Sequence, residues 1–208
     1  PFVSLAVRAM GWLFSRFFCT AIVSVTPHIA QHFPRRRTIV VQNYPILDEF
    51  TFSSEPYPTP DKPVFVFIGG VSRDRGGVEM IQAAQRIDEV GRISRTEIVG
   101  PIVSRSFARE LDDAAEGTSA VLVGPVAREE MARRLGVARA SLVLYHPAPN
   151  HKNAQPNKLF EAMAAGVPVI ASDFLLWRQI VDGCGCGLLV DPLDPASIAD
   201  AMKWMIDH

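Results

Sequence analysis

The sequence predicts a doubly wound α/β sheet of about six parallel strands, on three observations. Short apolar runs recur from residue 64 onward, at Val64 to Ile68, Glu97 to Val99, Ala120 to Val123, Ser141 to Tyr145, Pro168 to Ala171 and Gly187 to Val190. Longer amphipathic stretches alternate with them. The chain has 208 residues, 48% hydrophobic and 21% charged, which supplies enough apolar side chain for one good core. Short runs without polar alternation suit parallel strands covered on both faces, and strand–helix alternation builds such a sheet.

The helical stretches follow from spacing. Met80, Ala83, Ile87 and Val90 recur every three or four residues and form one apolar stripe. Ser104 to Ala115, Ala127 to Leu135, Asn157 to Ala165 and Ser197 to Ile206 read the same way, the last with Pro195 near its start. In a doubly wound sheet ligands bind at the carboxyl ends of strands, where the strand order reverses, so function is sought in the loops after strands.

The first 50 residues do not complete a unit of this kind. Ala21 to Val25 and Thr38 to Val41 read as two further strands, separated by Thr26-Pro27-His28 and by Arg35-Arg36-Arg37. The arginine run reads as a solvated turn, with phosphate binding the minor reading. Residues 51–63 carry Pro56, Pro58, Pro60 and Pro63, the composition of a stiff, extended linker. The expected organisation is therefore the tail of one domain over 1–50, a linker over 51–63 and one whole domain over 64–208. The opening segment, Pro1 to Phe18, places Arg8 and Arg16 among Trp12, Phe14, Phe17 and Phe18. It lacks the Met start and charged leader of a signal peptide. It reads as a helix whose apolar face lacks its partner, or as an interfacial amphipathic helix. A chain beginning at Pro1 reads as a piece of something longer.

Composition excludes several classes. A net charge of −1 sets up no field toward nucleic acid or an anionic membrane. No apolar run is long enough to span a bilayer. Cys19, Cys184 and Cys186 do not form a disulfide framework, which points to a reducing compartment. Cys184 and Cys186 sit among Gly183, Gly185 and Gly187, with no second cysteine pair or nearby histidine to complete a zinc set, so the segment reads as a glycine-rich turn before a strand. His28, His32, His146, His151 and His208 lack metal-ligand spacing, and no metal is expected.

Three loops carry candidate chemistry. Gly69-Gly70-Val71-Ser72-Arg73-Asp74-Arg75-Gly76-Gly77 follows the first strand of the domain and opens a helix. Its glycines let a ligand approach the backbone, the helix N-terminus favours an anion, and two arginines suit phosphate. It is neither a P-loop nor a dinucleotide fingerprint, and a tight turn with solvated arginines reads equally well. The second runs from His146 to Gly166, with a helix opening at Pro156 or Asn157, Asn157 serving as the N-cap. There Lys158 and Glu161 lie three apart on the face shared with Ala162 and Ala165, opposite Leu159, Phe160, Met163 and Ala164. A cation and a carboxylate beside free helix amides match a nucleoside diphosphate, the cation taking phosphate and the carboxylate ribose hydroxyls. The alternative is a surface Lys–Glu pair. The third loop ends at Asp173, which either contacts ligand or caps the next helix.

Together these stretches resemble glycosyltransferase family 4, the retaining group 1 transferases of GT-B fold. Phe67 to Gly76 looks like the family's first phosphate loop, Glu97 to Gly100 like a characteristic strand end, and Val121 to Val126 like a characteristic turn. Lys158-Leu159-Phe160-Glu161-Ala162-Met163-Ala164-Ala165-Gly166-Val167-Pro168-Val169-Ile170-Ala171-Ser172 is close to its most diagnostic run. Gly187 to Pro192, Val25-Thr26-Pro27 and Asn43-Tyr44-Pro45 also fit, in the family's order. The resemblance implies the C-terminal Rossmann-like half of a GT-B fold, gripping a UDP- or GDP-linked sugar without a metal. It implies Arg75, Lys158 and Glu161 as catalytic residues, with Glu161 on the ribose and Arg75 in the place of a phosphate-binding lysine. Gly69, Gly70, Arg73, Gly100, Val126, Asn153, Pro156 and Asn157 become donor-binding, Gly100 and Val126 near the base.

Two positions depart from the family pattern. The first glutamate of the family's E-x7-E motif falls on Asn153, as it does in a subset of relatives, and an expected loop arginine falls on Gly70, with Arg73 its candidate replacement. The acceptor, carbohydrate or lipid-linked, belongs to an N-terminal half of which residues 1–45 supply the end. The expected setting is cytoplasmic, with peripheral contact at the inner membrane face. The alternatives are a sugar-nucleotide epimerase of the same fold, a non-catalytic nucleotide-sugar-binding subunit, and a structural fragment with a membrane-facing helix.

Overall fold

The computed structural model describes residues 2–50 and 60–208. The stiff linker expected over 51–63 falls mostly on residues 51–59, outside the described residues. Contacts divide the chain into two compact units, Pro1–Tyr44 with Asn153–Gln155, and Pro45–Lys152 with Pro156–His208.

The first unit contains helix α1 (Phe2–Phe18), strand β1 (Ile22–Ser24), helix α2 (Pro27–Ala30) and strand β2 (Thr38–Val40). The two strands pair in parallel, Ile22 opposite Thr38. Thr26 caps α2 by accepting from the Ile29 amide at 3.2 Å, and Pro27 occupies the first turn, where its missing N–H costs nothing. The arginine run is not wholly a solvated turn. Arg37 Nη1 donates to the carbonyls of Arg16 and Cys19 at 2.6 and 3.0 Å, satisfying acceptors at and just beyond the end of α1. Met10, Trp12, Leu13, Phe14, Phe17 and Phe18 are exposed along α1. No helix among the described residues is long and apolar enough to cross a membrane.

In the second unit, β3 (Val64–Ile68), α3 (Gly77–Glu89), β4 (Arg95–Val99), α4 (Arg105–Ala115), β5 (Ala120–Gly124) and α5 (Arg128–Gly136) are followed by β6 (Ala140–Val143), α6 (Pro149–Lys152), α7 (Asn157–Ala164), β7 (Val169–Ser172), α8 (Leu175–Cys184), β8 (Gly187–Val190) and α9 (Pro195–Asp207). The six strands form one parallel sheet, ordered β5-β4-β3-β6-β7-β8, so the chain winds outward from β3 and then restarts on its other side. The expected Rossmann-like α/β fold is what forms.

Side chains on successive strand residues point to opposite faces, and both faces are covered. Phe65 and Phe67 enter the core beneath α3, α4 and α9, with Met80, Ile87, Leu111 and Met202. Val66 and Ile68 enter the other core, beneath α5, α7 and α8, with Leu135, Leu159 and Trp177. The α3 stripe buries Met80, Ala83 and Ile87, while Val90 lies past the last turn and is exposed.

Two local readings change. Ser104 caps α4 from outside the helix, accepting from the Phe107 amide at 3.2 Å. Helix α8, which spacing did not single out, ends at Cys184 with Gly185 in the left-handed region, so the glycine-rich segment is a helix stop leading into β8. All three cysteines are free thiols. Trp177 is fully buried and packs edge-on against Tyr145 and Phe174, with ring centres 5.4 and 4.9 Å apart. Trp177→Ala is expected to destabilise this unit by about 3–5 kcal/mol, read by chemical denaturation; a cost below about 1 kcal/mol would show that the ring is not a core anchor.

Candidate functional site

The strand order reverses between β3 and β6, so the loops that follow these two strands face each other at the carboxyl edge of the sheet. After β3 the chain turns through Gly69, runs beside Pro101 and Ile102, and forms a short 3-10 turn over Arg73–Arg75 before α3. Gly69 is required by close approach. A Cβ there would lie 2.5 Å from Lys158 Cε, and one at Gly100 would lie 2.1 Å from the Gly69 carbonyl oxygen. Gly69 leaves the Lys158 side chain its course across the end of β3, and Gly100 lets the Gly69 backbone pass close by.

After β6 comes Tyr145, nearly buried and fixed from several sides. Its amide donates to Ser172 Oγ at 2.7 Å, and that hydroxyl donates back to the Tyr145 carbonyl at 2.9 Å. Its ring meets Trp177 and His151 edge-on. Lys158, in the first turn of α7, reaches this ring. Its Nζ donates to Tyr145 Oη at 3.3 Å and lies 4.6 Å from the centre of the Phe67 ring. Arg75 approaches the same tyrosine at 5.6 Å and donates to the Gly70 carbonyl at 3.0 Å.

Two cations therefore share one aromatic platform. Burial and then the charge of Arg75 lower the Lys158 pKa to about 8, and Glu161 opposes this. Burial likewise raises the Tyr145 hydroxyl. A cation desolvated beside a second cation is a costly arrangement that an anion would relieve.

Glu161, one turn along α7 from Lys158, is half-buried. Its Oε1 accepts from Arg128 Nη1 at 3.2 Å, and Arg128 also binds Glu49 Oε2 through Nη2 at 2.6 Å. The expectation that Lys158 and Glu161 are underlaid only by alanines is corrected. Ala162 points into the core beside Leu159, while Phe160 and Met163 are only half-buried. Helix α7 buries its Leu159–Ala162 ridge in the core shared with β6 and β7. The N-cap is Pro156, with no side-chain bond; Asn157 is the first helical residue and exposed, so it does not cap.

The other expected residues are distributed around this point. Gly70 supplies the carbonyl that holds Arg75. Gly100 and Val126 follow β4 and β5 at the same edge of the sheet, Val126 against the core. Arg73 is turned toward α4: its Nη2 donates to both carboxylate oxygens of Glu110 at 2.5 and 2.7 Å, and its guanidinium lies over the Phe107 ring. Asn153 belongs to the segment that groups with the first unit. Asp173 neither caps α8, whose N-cap is Phe174, nor stands free: it pairs with Arg178.

Sequence reasoning missed the platform itself. Sequence spacing marks Tyr145 only as a strand end, whereas its place in the site follows from the packing that sets its ring against Trp177. His146 and His151 tie the two loops together. His146 N donates to the Asp74 carbonyl at 2.8 Å, and its Nε2 lies 3.0 Å from Glu79; His151 Nδ1 lies 3.0 Å from the His146 carbonyl. The Ser72 hydroxyl bonded to Asp74 lowers that carboxyl's pKa. No group of three His, Cys, Asp or Glu able to hold a metal occurs among the described residues. A cavity of about 610 Å³ lined by Cys184, Cys186, Trp204 and His208 lies at the opposite, amino end of the last strands.

Residues 62–208 match the family model for glycosyl transferases group 1. The chain belongs to this family. A sequence search of the curated proteins gives no match. Among solved structures, HepE from Anabaena, crystallised with UDP and glucose, is similar with a TM-score of 0.77 at 15% identity, over 96% of this chain and 57% of that one. Sucrose-phosphate synthase from Thermosynechococcus elongatus gives 0.72 at 19% identity, over 96% and 52%. The C-terminal domain of the group 1 protein LpcC from Francisella tularensis gives 0.61 at 20% identity, over 78% and 87%. The chain thus spans little more than half the length of the first of these structures and has the architecture of the C-terminal half of a GT-B glycosyltransferase.

Two outcomes follow from the buried lysine. Lys158→Met removes a desolvated charge and is expected to stabilise the unliganded protein by roughly 1–3 kcal/mol, read as a raised thermal midpoint at pH 7. The sign is fixed by the lowered pKa: the folded state is penalised while lysine is charged in both states, and regains stability as pH rises from about 8 toward 10.5. A lowered midpoint would refute this reading. Gly69→Ala is expected to push the Lys158 amine from its platform and restore an ordinary lysine titration, visible by NMR.

Proposed function

We propose that this chain is the nucleotide-sugar-binding half of a retaining glycosyltransferase. The observation that carries the proposal is the pairing of Lys158 and Arg75 on Tyr145 at the strand-order reversal, beside the N-terminus of α7. A donor diphosphate would take the charge of both side chains and the first-turn amides of α7, where Pro156 and Asn157 bring the backbone forward. The ribose hydroxyls would bond to Glu161, one helical turn away, and the base would lie toward Gly100 and Val126. When the bond from the sugar's anomeric carbon to the diphosphate oxygen breaks, negative charge grows on the leaving diphosphate. Fixed donors in a partly dry site stabilise that charge without having to reorganise. Retention, a UDP- or GDP-linked hexose, and a carbohydrate or lipid-linked acceptor held by an N-terminal half complete the reading. The binding of UDP by a structurally similar protein supports the donor class.

Asn153, standing where the resemblance has a glutamate, favours a second reading of donor binding without transfer. A sugar-nucleotide epimerase on this fold would need paired acid–base carboxylates at the sugar. The carboxylates around the site are engaged otherwise: Asp74 with Ser72, Glu79 beside His146, Glu161 with Arg128. Product analysis with donor alone, and with acceptor in a protein carrying both halves, separates the three readings.

Calorimetric titration with UDP and GDP tests the site. Lys158→Ala and Arg75→Ala are each expected to weaken binding by about 1–3 kcal/mol, the size of a charge-assisted hydrogen bond. No binding at millimolar nucleotide would overturn the assignment. The bound diphosphate should also hold Lys158 protonated, so affinity should be about tenfold weaker at pH 9 than at pH 7, a difference absent from Lys158→Met. A flat profile in the unaltered protein would remove Lys158 from the phosphate site.

A further inference from the structure

Arg128, at the first turn of α5, makes contacts that the donor reading leaves unused. Its Nε and Nη2 donate to Glu49 Oε2 at 2.8 and 2.6 Å, its Nη1 donates to Glu161 Oε1 at 3.2 Å, and its guanidinium lies 5.5 Å from the centre of the Phe50 ring. Phe50 is buried in the core beneath α5, α7 and α8. It follows a short 3-10 turn, Leu47–Glu49, in which its amide donates to the Leu47 carbonyl at 2.9 Å. The order of dependence runs outward from the core: Phe50 fixes Glu49, Glu49 and the Phe50 ring fix Arg128, and Arg128 fixes Glu161.

We infer that Arg128 is a positioning residue that sets the Glu161 carboxylate for the donor's ribose hydroxyls, with Glu49 and Phe50 as its anchor. The inference rests on the donor reading above. A glutamate side chain has several rotamers to lose on binding a ligand, and a carboxylate already bonded to a guanidinium that is itself pinned on Glu49 loses fewer. Arg128 engages Glu161 through Oε1, and a carboxylate offers lone pairs on both oxygens, so a hydroxyl pair can still be accepted. Sequence spacing gives no sign of this set, because Glu49, Arg128 and Glu161 come from three distant segments.

The test compares a ribonucleoside diphosphate with its 2′,3′-dideoxy form, with UDP and GDP as the probes, against the full chain. The unaltered protein is expected to prefer the ribo form. Arg128→Ala should weaken the ribo form by about fivefold or more, the effect of misplacing one charge-assisted hydrogen bond, and change the dideoxy form by less than about twofold. Glu161→Gln should do the same, and combining the two should add little, as expected for residues acting through one contact. Arg128→Lys keeps the charge but not the fork and should recover only part of the preference. A variant that merely loosened the fold would weaken both ligands alike. Retained ribo preference in a folded Arg128→Ala protein overturns the inference. Should that variant fail to fold, Glu49→Gln removes the anchor's charge while keeping its shape and must reduce the preference; an unchanged preference there overturns the inference equally. If the unaltered chain binds neither UDP nor GDP, the donor reading itself fails, and this inference with it.

Discussion

The Lys158 amine lies against the faces of Phe67 and Tyr145, and the arrangement around it explains why several other residues are what they are. A buried ammonium without a close carboxylate is unfavourable, and cation–π contact with two rings offsets only part of the loss. The rings must therefore be held firmly. Phe67 is a central strand residue with no exposure, and Tyr145 is fixed by Ser172 through its backbone and by Trp177 through its ring. Gly69 is the empty space through which the lysine passes, and Gly100 is the space that lets the Gly69 backbone lie there. Core packing, strand register and loop composition thus converge on one charged atom, which the fold supports at a cost in stability.

That cost has a second contributor. Arg75 stands on the same tyrosine and raises the penalty on Lys158 further. Its own anchor is the Gly70 carbonyl, a neutral group that orients a guanidinium without cancelling its charge. By contrast, Arg73, Arg128 and Arg178 all sit on carboxylates. Two cations side by side on one ring at a strand-order reversal form the local excess of positive charge a diphosphate needs.

The two units present contrasting kinds of completeness. The second has both sheet faces covered and a core on each. The first has a two-stranded parallel sheet with Val23, Ile39 and Val40 exposed, alongside the exposed aromatic residues of α1. Parallel strands are ordinarily buried on both faces, so the exposed apolar surface of this unit sets it apart from the second.

The fold was largely legible in the sequence, because parallel strands buried on both sides are apolar runs and the helices between them keep a single stripe. The strands at Val64–Ile68 and Gly187–Val190 fall where the runs place them. Helix α8 was obscured by the glycines and cysteines at its end, which read as turn when they are in fact a helix stop. At the site, the chain's own motifs marked Arg75, Lys158 and Glu161, since spacing within one loop or one helical turn is a local property. Tyr145 beneath the lysine, Arg128 beside the glutamate and the diversion of Arg73 to Glu110 were not legible. They depend on strand order, register and the packing of segments far apart in sequence, and only the folded chain sets those distances. The sequence by itself therefore determined the architecture and the charged residues at its strand ends, while the tertiary structure decided which of those charges meet.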